Sequence, residues 1–160
     1  MTRPIPVVVG ALVKENKILL IKRVKPPFEN IWSMPAGKVE YGESIDQAVA
    51  RELKEETGLD VTFQNVQATV NEHVFENNSL FIHTVMFLCN ISSNGFDAKN
   101  NGEGELRWFD LPTLESHKAQ IIPSDYEMIK RLILSKGEGH FNSVIEKVNG
   151  SYILKEFKKA

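Results

Sequence analysis

The chain has 160 residues, 42% hydrophobic and 25% charged, with a net charge of −2. That length suits one domain with a core large enough to need no covalent staples, and the single cysteine, Cys89, excludes an internal disulfide framework. A charge balance this close to neutral supplies no global positive field for non-specific nucleic-acid binding, so an anionic substrate would have to be attracted locally.

Cys89 lies in the apolar run HTVMFLC and reads as a small buried hydrophobe rather than a reactive thiol. The opening MTRPIPVVVGALVKEN has no signal-peptide cleavage pattern, and no apolar run reaches the roughly 20 residues of a membrane helix. The expectation is a soluble cytoplasmic protein with neither nucleic acid nor membrane as partner.

In chain order, VVVGALV (7–13) and KILLIKR (17–23) are apolar runs without clean alternation, which predicts strands covered on both faces. Residues 24–37, rich in Pro and Gly and carrying Phe28 and Trp32, predict a loop around a short extended segment. A helix over Ile45 to Thr57 follows. Ser44 and Gln47 make a capping box, Asp46 sits in the first turn, and Gly58 supplies the stop. Residues 61–75 and 79–91 predict two long strands joined at Glu76-Asn77-Asn78. His73 and His83 flank that turn and would face one another only across a loop of odd length. Residues 92–105 predict a polar loop, LRWFDL a short strand, and Pro112 a helical turn. Residues 123–136 predict a helix with a Ser or Asp cap and Ile129, Leu132 and Ile133 on one face. Asn149-Gly150 between two strand-like runs predicts a hairpin. The sum is an α/β sandwich with a mixed sheet. Residues 1–136 form its main domain, and residues 137–160 form a C-terminal β-hairpin extension packed on it.

The helix over 45–57 carries a conflict. Stepping about 100° per residue from Ile45, Ala48, Val49 and Leu53 mark the core-facing side, and Glu52 and Glu56 fall within about 20° of Ile45. Glu55 stands at the edge of that face. Like charges at i,i+3 and i,i+4 repel by a few tenths of a kcal/mol per pair, and the last helical turn disfavours anions. Carboxylates directed at a partly buried place need a compensating charge. Arg51 alone cannot neutralise three of them, whereas hard oxygen ligands suit a bound magnesium, manganese or calcium ion.

Gly37, five residues, Glu43, seven residues, then Arg51-Glu52-Leu53-x-Glu55-Glu56-x-Gly58-Leu59 fills every fixed position of G-x5-E-x7-R-E-U-x-E-E-x-G-U, with U an aliphatic. The chance of such a match is roughly 10⁻⁸ per starting position. The segment resembles the Nudix box of the Nudix hydrolases, and the resemblance extends over about residues 5–135. It implies an α/β/α sandwich with the box as a loop-helix-loop. It also implies magnesium- or manganese-dependent hydrolysis of a nucleoside diphosphate linked to another group.

Carried over by position, Glu52, Glu55 and Glu56 are metal ligands, joined by the carbonyl of Gly37, while Glu43 and Arg51 support the loop. Glu103 or Glu105, with Glu103 preferred, would add a later carboxylate. The general base would be Glu52 or Glu56, with Glu103 or Glu105 as rivals. Arg23 either contacts a phosphate or is a solvated strand-end arginine. Phe28 and Trp32 offer stacking surfaces, Trp32 serving alternatively in the core. Nucleoside triphosphates, ADP-ribose-like compounds and nucleotide sugars all remain as the small-molecule partner, and a homodimer through the tail hairpin is compatible with the sequence. The competing reading is a catalytically inactive Nudix-like module that binds a nucleotide or a partner, although no box carboxylate is missing.

Overall fold

The computed structural model describes residues 3–160. Its strands are β1 (Ile5–Ala11), β2 (Val13–Lys14), β3 (Lys17–Arg23), β4 (Trp32–Ser33), β5 (Ala36–Lys38), β6 (Val61–Glu76), β7 (Ser79–Ser93), β8 (Gly104–Asp110), β9 (Gly139–Val148) and β10 (Ser151–Lys159). Helix α1 (Ile45–Thr57) separates β5 from β6, and α2 (Pro123–Met128) precedes β9. A six-stranded sheet runs in the order β10-β9-β6-β7-β1-β5. It is mixed, because β1 pairs with β7 and β6 with β9 in parallel while its other pairs are antiparallel. The smaller sheet is built on β3, which pairs along its whole length with β8 and also with β2 and β4.

The unbroken apolar runs of β1 and β3 are explained by this layering, since both strands are covered on two faces. Val8, Leu12, Leu19, Cys89 and Ile91 pack with Ala48, Val49 and Leu53 of α1. On the other face, Val9, Val70 and Leu88 meet Trp32, Phe109, Met128 and Leu132. A third cluster joins Phe28, Val74, Ile82, Ile122 and Ile145, so the C-terminal hairpin shares the core. Among the described residues no helix is long and apolar enough to cross a membrane.

Three local expectations are corrected. The helix over 123–136 is α2 followed by a π-helical segment at Ile129–Leu134, and its N-cap is Ile122 with no side-chain cap. Pro123 occupies the first helical position, where its missing N–H costs nothing. Ser124 and Asp125 point into the protein instead of capping. Secondly, the helical turn at Pro112 is a 3₁₀-helix over Leu111–Gln120.

Thirdly, His73 and His83 do face one another, with ring centroids 4.2 Å apart, although the hairpin loop holds only Asn77 and Asn78. Val74 pairs with Ile82 and Phe75 with Leu80, which leaves Phe81 as an extra residue and changes the parity. Asn77 and Asn78 both adopt positive φ, as a two-residue hairpin turn of matching twist requires.

Asp125 Oδ2 accepts a hydrogen bond from Met34 N at 2.7 Å and thereby ties α2 to the segment after β4. Burial pushes its pKa from the ordinary carboxylate range up to about 7, with the nearby Glu72 adding to the rise and Arg23 opposing it. The folded state therefore holds this proton more tightly than the unfolded chain, and the group's contribution to stability declines as pH rises from about 4 towards 7. Asp125→Asn keeps an acceptor for Met34 and removes the titration. Thermal melts should show the variant gaining on wild type between pH 5 and pH 8; a pH-independent difference would exclude this role.

Candidate active site

Helix α1 begins and ends as its sequence dictates. Gln47 Oε1 accepts from Ser44 N at 3.0 Å, and Gly58 N donates to Lys54 O at 2.9 Å. Between those ends, Arg51 gathers the acidic groups. Its Nε and Nη2 donate to the two oxygens of Glu43 at 2.8 and 3.0 Å. Its Nη1 donates to Glu52 Oε1 at 2.8 Å and Glu55 Oε2 at 3.3 Å, and Nη2 also reaches Lys38 O at 3.0 Å. One guanidinium thus pins the loop after β5 to the helix, the bidentate pairing that its planar fork favours. The Arg51 hydrogen bonds, helped by Glu40 N, hold the Glu43 carboxyl down at about 2.

The helical angles place the glutamates as expected. The Glu52 side chain is 14% exposed and that of Glu55 55%. Burial raises the pKa of Glu52 against the pull of Arg51. Glu56 accepts from Ala36 N at 3.1 Å through Oε2. Burial pushes its pKa to about 8, with repulsion from Glu52 and Glu103 adding to this and Arg23 opposing it. Gly37 passes directly over Glu52, and a methyl group there would overlap the Glu52 carboxyl. The first glycine of the motif is therefore a matter of space.

Glu103 and Glu105 are separated by their surroundings. The loop before β8 is clasped to the end of α1: Lys99 N donates to Thr57 O at 2.8 Å, and Asn101 Nδ2 to Glu55 O at 3.2 Å. Gly104 then pairs with Arg23 at φ 151°, where a side chain would overlap Lys22 O. Glu103 is exposed, yet close enough for its charge to act on Glu56. Glu105 instead pairs with Arg107 at 3.4 Å.

A cavity of about 430 Å³ opens beside these groups, and its lining includes Arg23, Phe28, Gly37, Glu56, Glu72 and Asp125. Arg23 Nε donates to Pro27 O at 2.9 Å. Phe28 packs against Tyr152 with centroids 4.2 Å apart. Trp32 is not part of the lining: it is 3% exposed, lies edge-on to Phe109 at 5.1 Å and has Arg107 over its ring. The stacking role expected for Trp32 gives way to its alternative, a place in the core. Glu72 and Asp125, 4% and 6% exposed, were missed by the motif-based reading. Period-two alternation through Val70, Glu72 and Val74 was the available signal, since it puts Glu72 on a buried face.

The donor set suits a hard divalent cation. Glu52, Glu55, Glu56 and the Gly37 carbonyl offer only oxygen, and Arg51 already occupies part of the charge that a cation would balance. Among the described residues no three acidic, His or Cys side chains are already drawn together as a metal cage. Glu52 and Glu55 are turned to Arg51, and Glu56 to Ala36 N.

The chain is 54% identical over 56 residues to the ADP-ribose pyrophosphatase of Methanocaldococcus jannaschii, a match covering 35% of this chain and 33% of that protein. It is 30% identical over 139 residues to putative nudix hydrolase 1 of Caenorhabditis elegans, spanning 81% of this chain and 34% of that one. Each of these two matches thus spans about a third of the relative's length. With the putative 8-oxo-dGTP diphosphatase 2 of Mycobacterium tuberculosis H37Rv the identity is 32% over 120 residues, covering 74% of this chain and 81% of that protein. Among solved structures, the MutT protein from Methanosarcina mazei Go1 superposes with a TM-score of 0.67 at 24% identity, covering 85% of this chain and 98% of that one; this supports the fold alone. The family model described as the NUDIX domain matches residues 4–132. Box, fold and family match agree, and the chain belongs to the Nudix family of hydrolases.

Proposed function

We propose that this protein hydrolyses a pyrophosphate bond in a nucleoside diphosphate linked to another moiety, by attack of water on phosphorus. The observation that carries the reading is the complete set of box glutamates on the loop and helix beside a cavity of about 430 Å³, which Gly37 and Glu56 of the box line directly, within the roughly 300–1,000 Å³ usual for small-molecule sites. The names of the relatives, an ADP-ribose pyrophosphatase and a putative 8-oxo-dGTP diphosphatase, support the same bond type.

Glu52, Glu55, Glu56 and the Gly37 carbonyl would hold magnesium or manganese, with Glu103 joining from the clasped loop. When bound, such an ion neutralises charge on the pyrophosphate oxygens and acidifies water. The chain's own groups do the rest. Arg51 and Glu43 keep the loop against the helix so that Gly37 stays over Glu52. The proton acceptor is Glu52 or Glu56, with Glu103 or Glu105 as rivals; Ala36 N orients Glu56 Oε2 at the cavity. Arg23, at the cavity wall, meets the phosphate, and Phe28 supplies an apolar face for the base or sugar.

A panel of nucleoside triphosphates, dinucleoside polyphosphates, ADP-ribose and nucleotide sugars with magnesium, with products identified, tests the reading; no turnover across the panel would overturn it. Glu56→Gln should lose at least about 100-fold in turnover while its melting transition persists. Exhaustive chelation should abolish activity, and re-addition of magnesium or manganese restore it. Glu103→Ala should reduce kcat by about 10-fold or more, with Glu105→Ala changing it less; the reverse order would assign the later carboxylate to Glu105.

A further inference from the structure

The polar groups at the inner end of the cavity take no part in the chemistry above. Glu72, on β6, and Asp125, at the start of α2, both line the cavity while being almost wholly buried. Each accepts a hydrogen bond from the protein, and the buried Ser124 hydroxyl also bears on Glu72. Ser143 Oγ donates to Glu72 Oε2 at 3.0 Å, and Met34 N donates to Asp125 Oδ2 at 2.7 Å. A carboxyl group has about four acceptor sites, so both retain acceptor capacity. The Thr84 hydroxyl oxygen, buried in the same lining, has no hydrogen-bond partner among the described residues. Buried polar groups left in this condition are costly unless something completes them. The walls around them are apolar, formed by side chains such as Val7, Phe28, Ile82 and Met86.

Two of the fixing contacts come from the C-terminal hairpin. Ser143 belongs to β9, and Tyr152 of β10 backs the Phe28 wall, its hydroxyl accepting from Phe28 N at 3.3 Å. β9 also pairs Ser143 directly with Glu72. Residues 139–159 thus back two of the residues that line the cavity, Glu72 and Phe28.

We propose that Glu72, positioned by Ser143 of the hairpin and flanked by Asp125, determines substrate specificity by accepting hydrogen bonds from the N–H groups of an amino-purine base. The inference rests on reading the cavity as a nucleotide site. Apolar walls suit a purine ring, and buried acceptors in the lining match an exocyclic amino group. Burial raises the pKa of both carboxyls, as shielding from water does.

Equilibrium binding of AMP, GMP and IMP to the full chain, by calorimetry without added metal, reads the base directly. IMP lacks the exocyclic amino group that AMP and GMP each carry. Wild type should bind at least one of AMP and GMP about 10-fold more tightly than IMP, the value of one net hydrogen bond. Glu72→Met keeps the volume and removes both acceptors, and should collapse that ratio. Ser143→Ala should reduce it in part and Ser143→Thr restore it, an effect that a merely structural hydroxyl would not produce. If Glu72→Met fails to melt cooperatively, the Ser143 pair decides. Equal binding of the three nucleotides by wild type, no binding of any, or an unchanged ratio in the folded variants overturns the proposal. Turnover on the pyrophosphate panel is scored separately: a wild type that hydrolyses its substrate but fails these binding tests leaves the proposed activity standing, and the converse leaves the base site standing.

Discussion

The Arg51 guanidinium is shared by Glu43, Glu52 and Glu55, and the geometry of the site follows from that sharing. Helix α1 carries three glutamates within five residues, and its last turn repels them. A single planar cation bridging the loop and the helix offsets this repulsion and fixes the entry of the chain into α1. Gly37 can then lie against Glu52, and Ala36 N can reach Glu56. An ammonium group in place of the guanidinium would satisfy fewer partners, since its donors cannot span two oxygens of Glu43, two further carboxylates and the Lys38 carbonyl at once.

Much of this was legible because local rules and global fold agree. The capping box, the stop at Gly58 and the angular positions of Glu52, Glu55 and Glu56 all reappear in α1, since each depends only on neighbours a turn away. The hairpin at Asn149-Gly150 was equally local. The failures are non-local. Ser124 and Asp125 have cap-like identities, but Met34, some ninety residues away in sequence, takes the Asp125 carboxylate. The His73–His83 pairing depends on a bulge at Phe81 that no turn signal encodes. Trp32 went to the core because Phe109 and Arg107 of β8 close over it. Glu72 escaped notice because a lone acid in a strand carries no motif, only an alternation that makes its burial costly.

The C-terminal hairpin is built into the sheet that carries Glu72. β9 joins β6 in parallel, the arrangement that needs a long crossover, here supplied by β7, β8, the 3₁₀-helix and α2. Its inward side chains alternate Phe141, Ser143 and Ile145. The middle one is small and polar at the point where Glu72 needs a donor. The outer two remain apolar and close the core around it.

The same hairpin also ends the larger sheet. β10 is an edge strand interrupted by a bulge between Leu154 and Glu156, and it carries Lys155, Lys158 and Lys159. An open edge presents unpaired backbone groups that another chain can extend. Here an approaching strand meets a broken register and charged side chains, Lys155 and Lys158 paired with Glu146 and Glu156, while at the opposite edge β5 offers only three residues for pairing. The larger sheet is thereby guarded at both edges against extension by a strand from another copy.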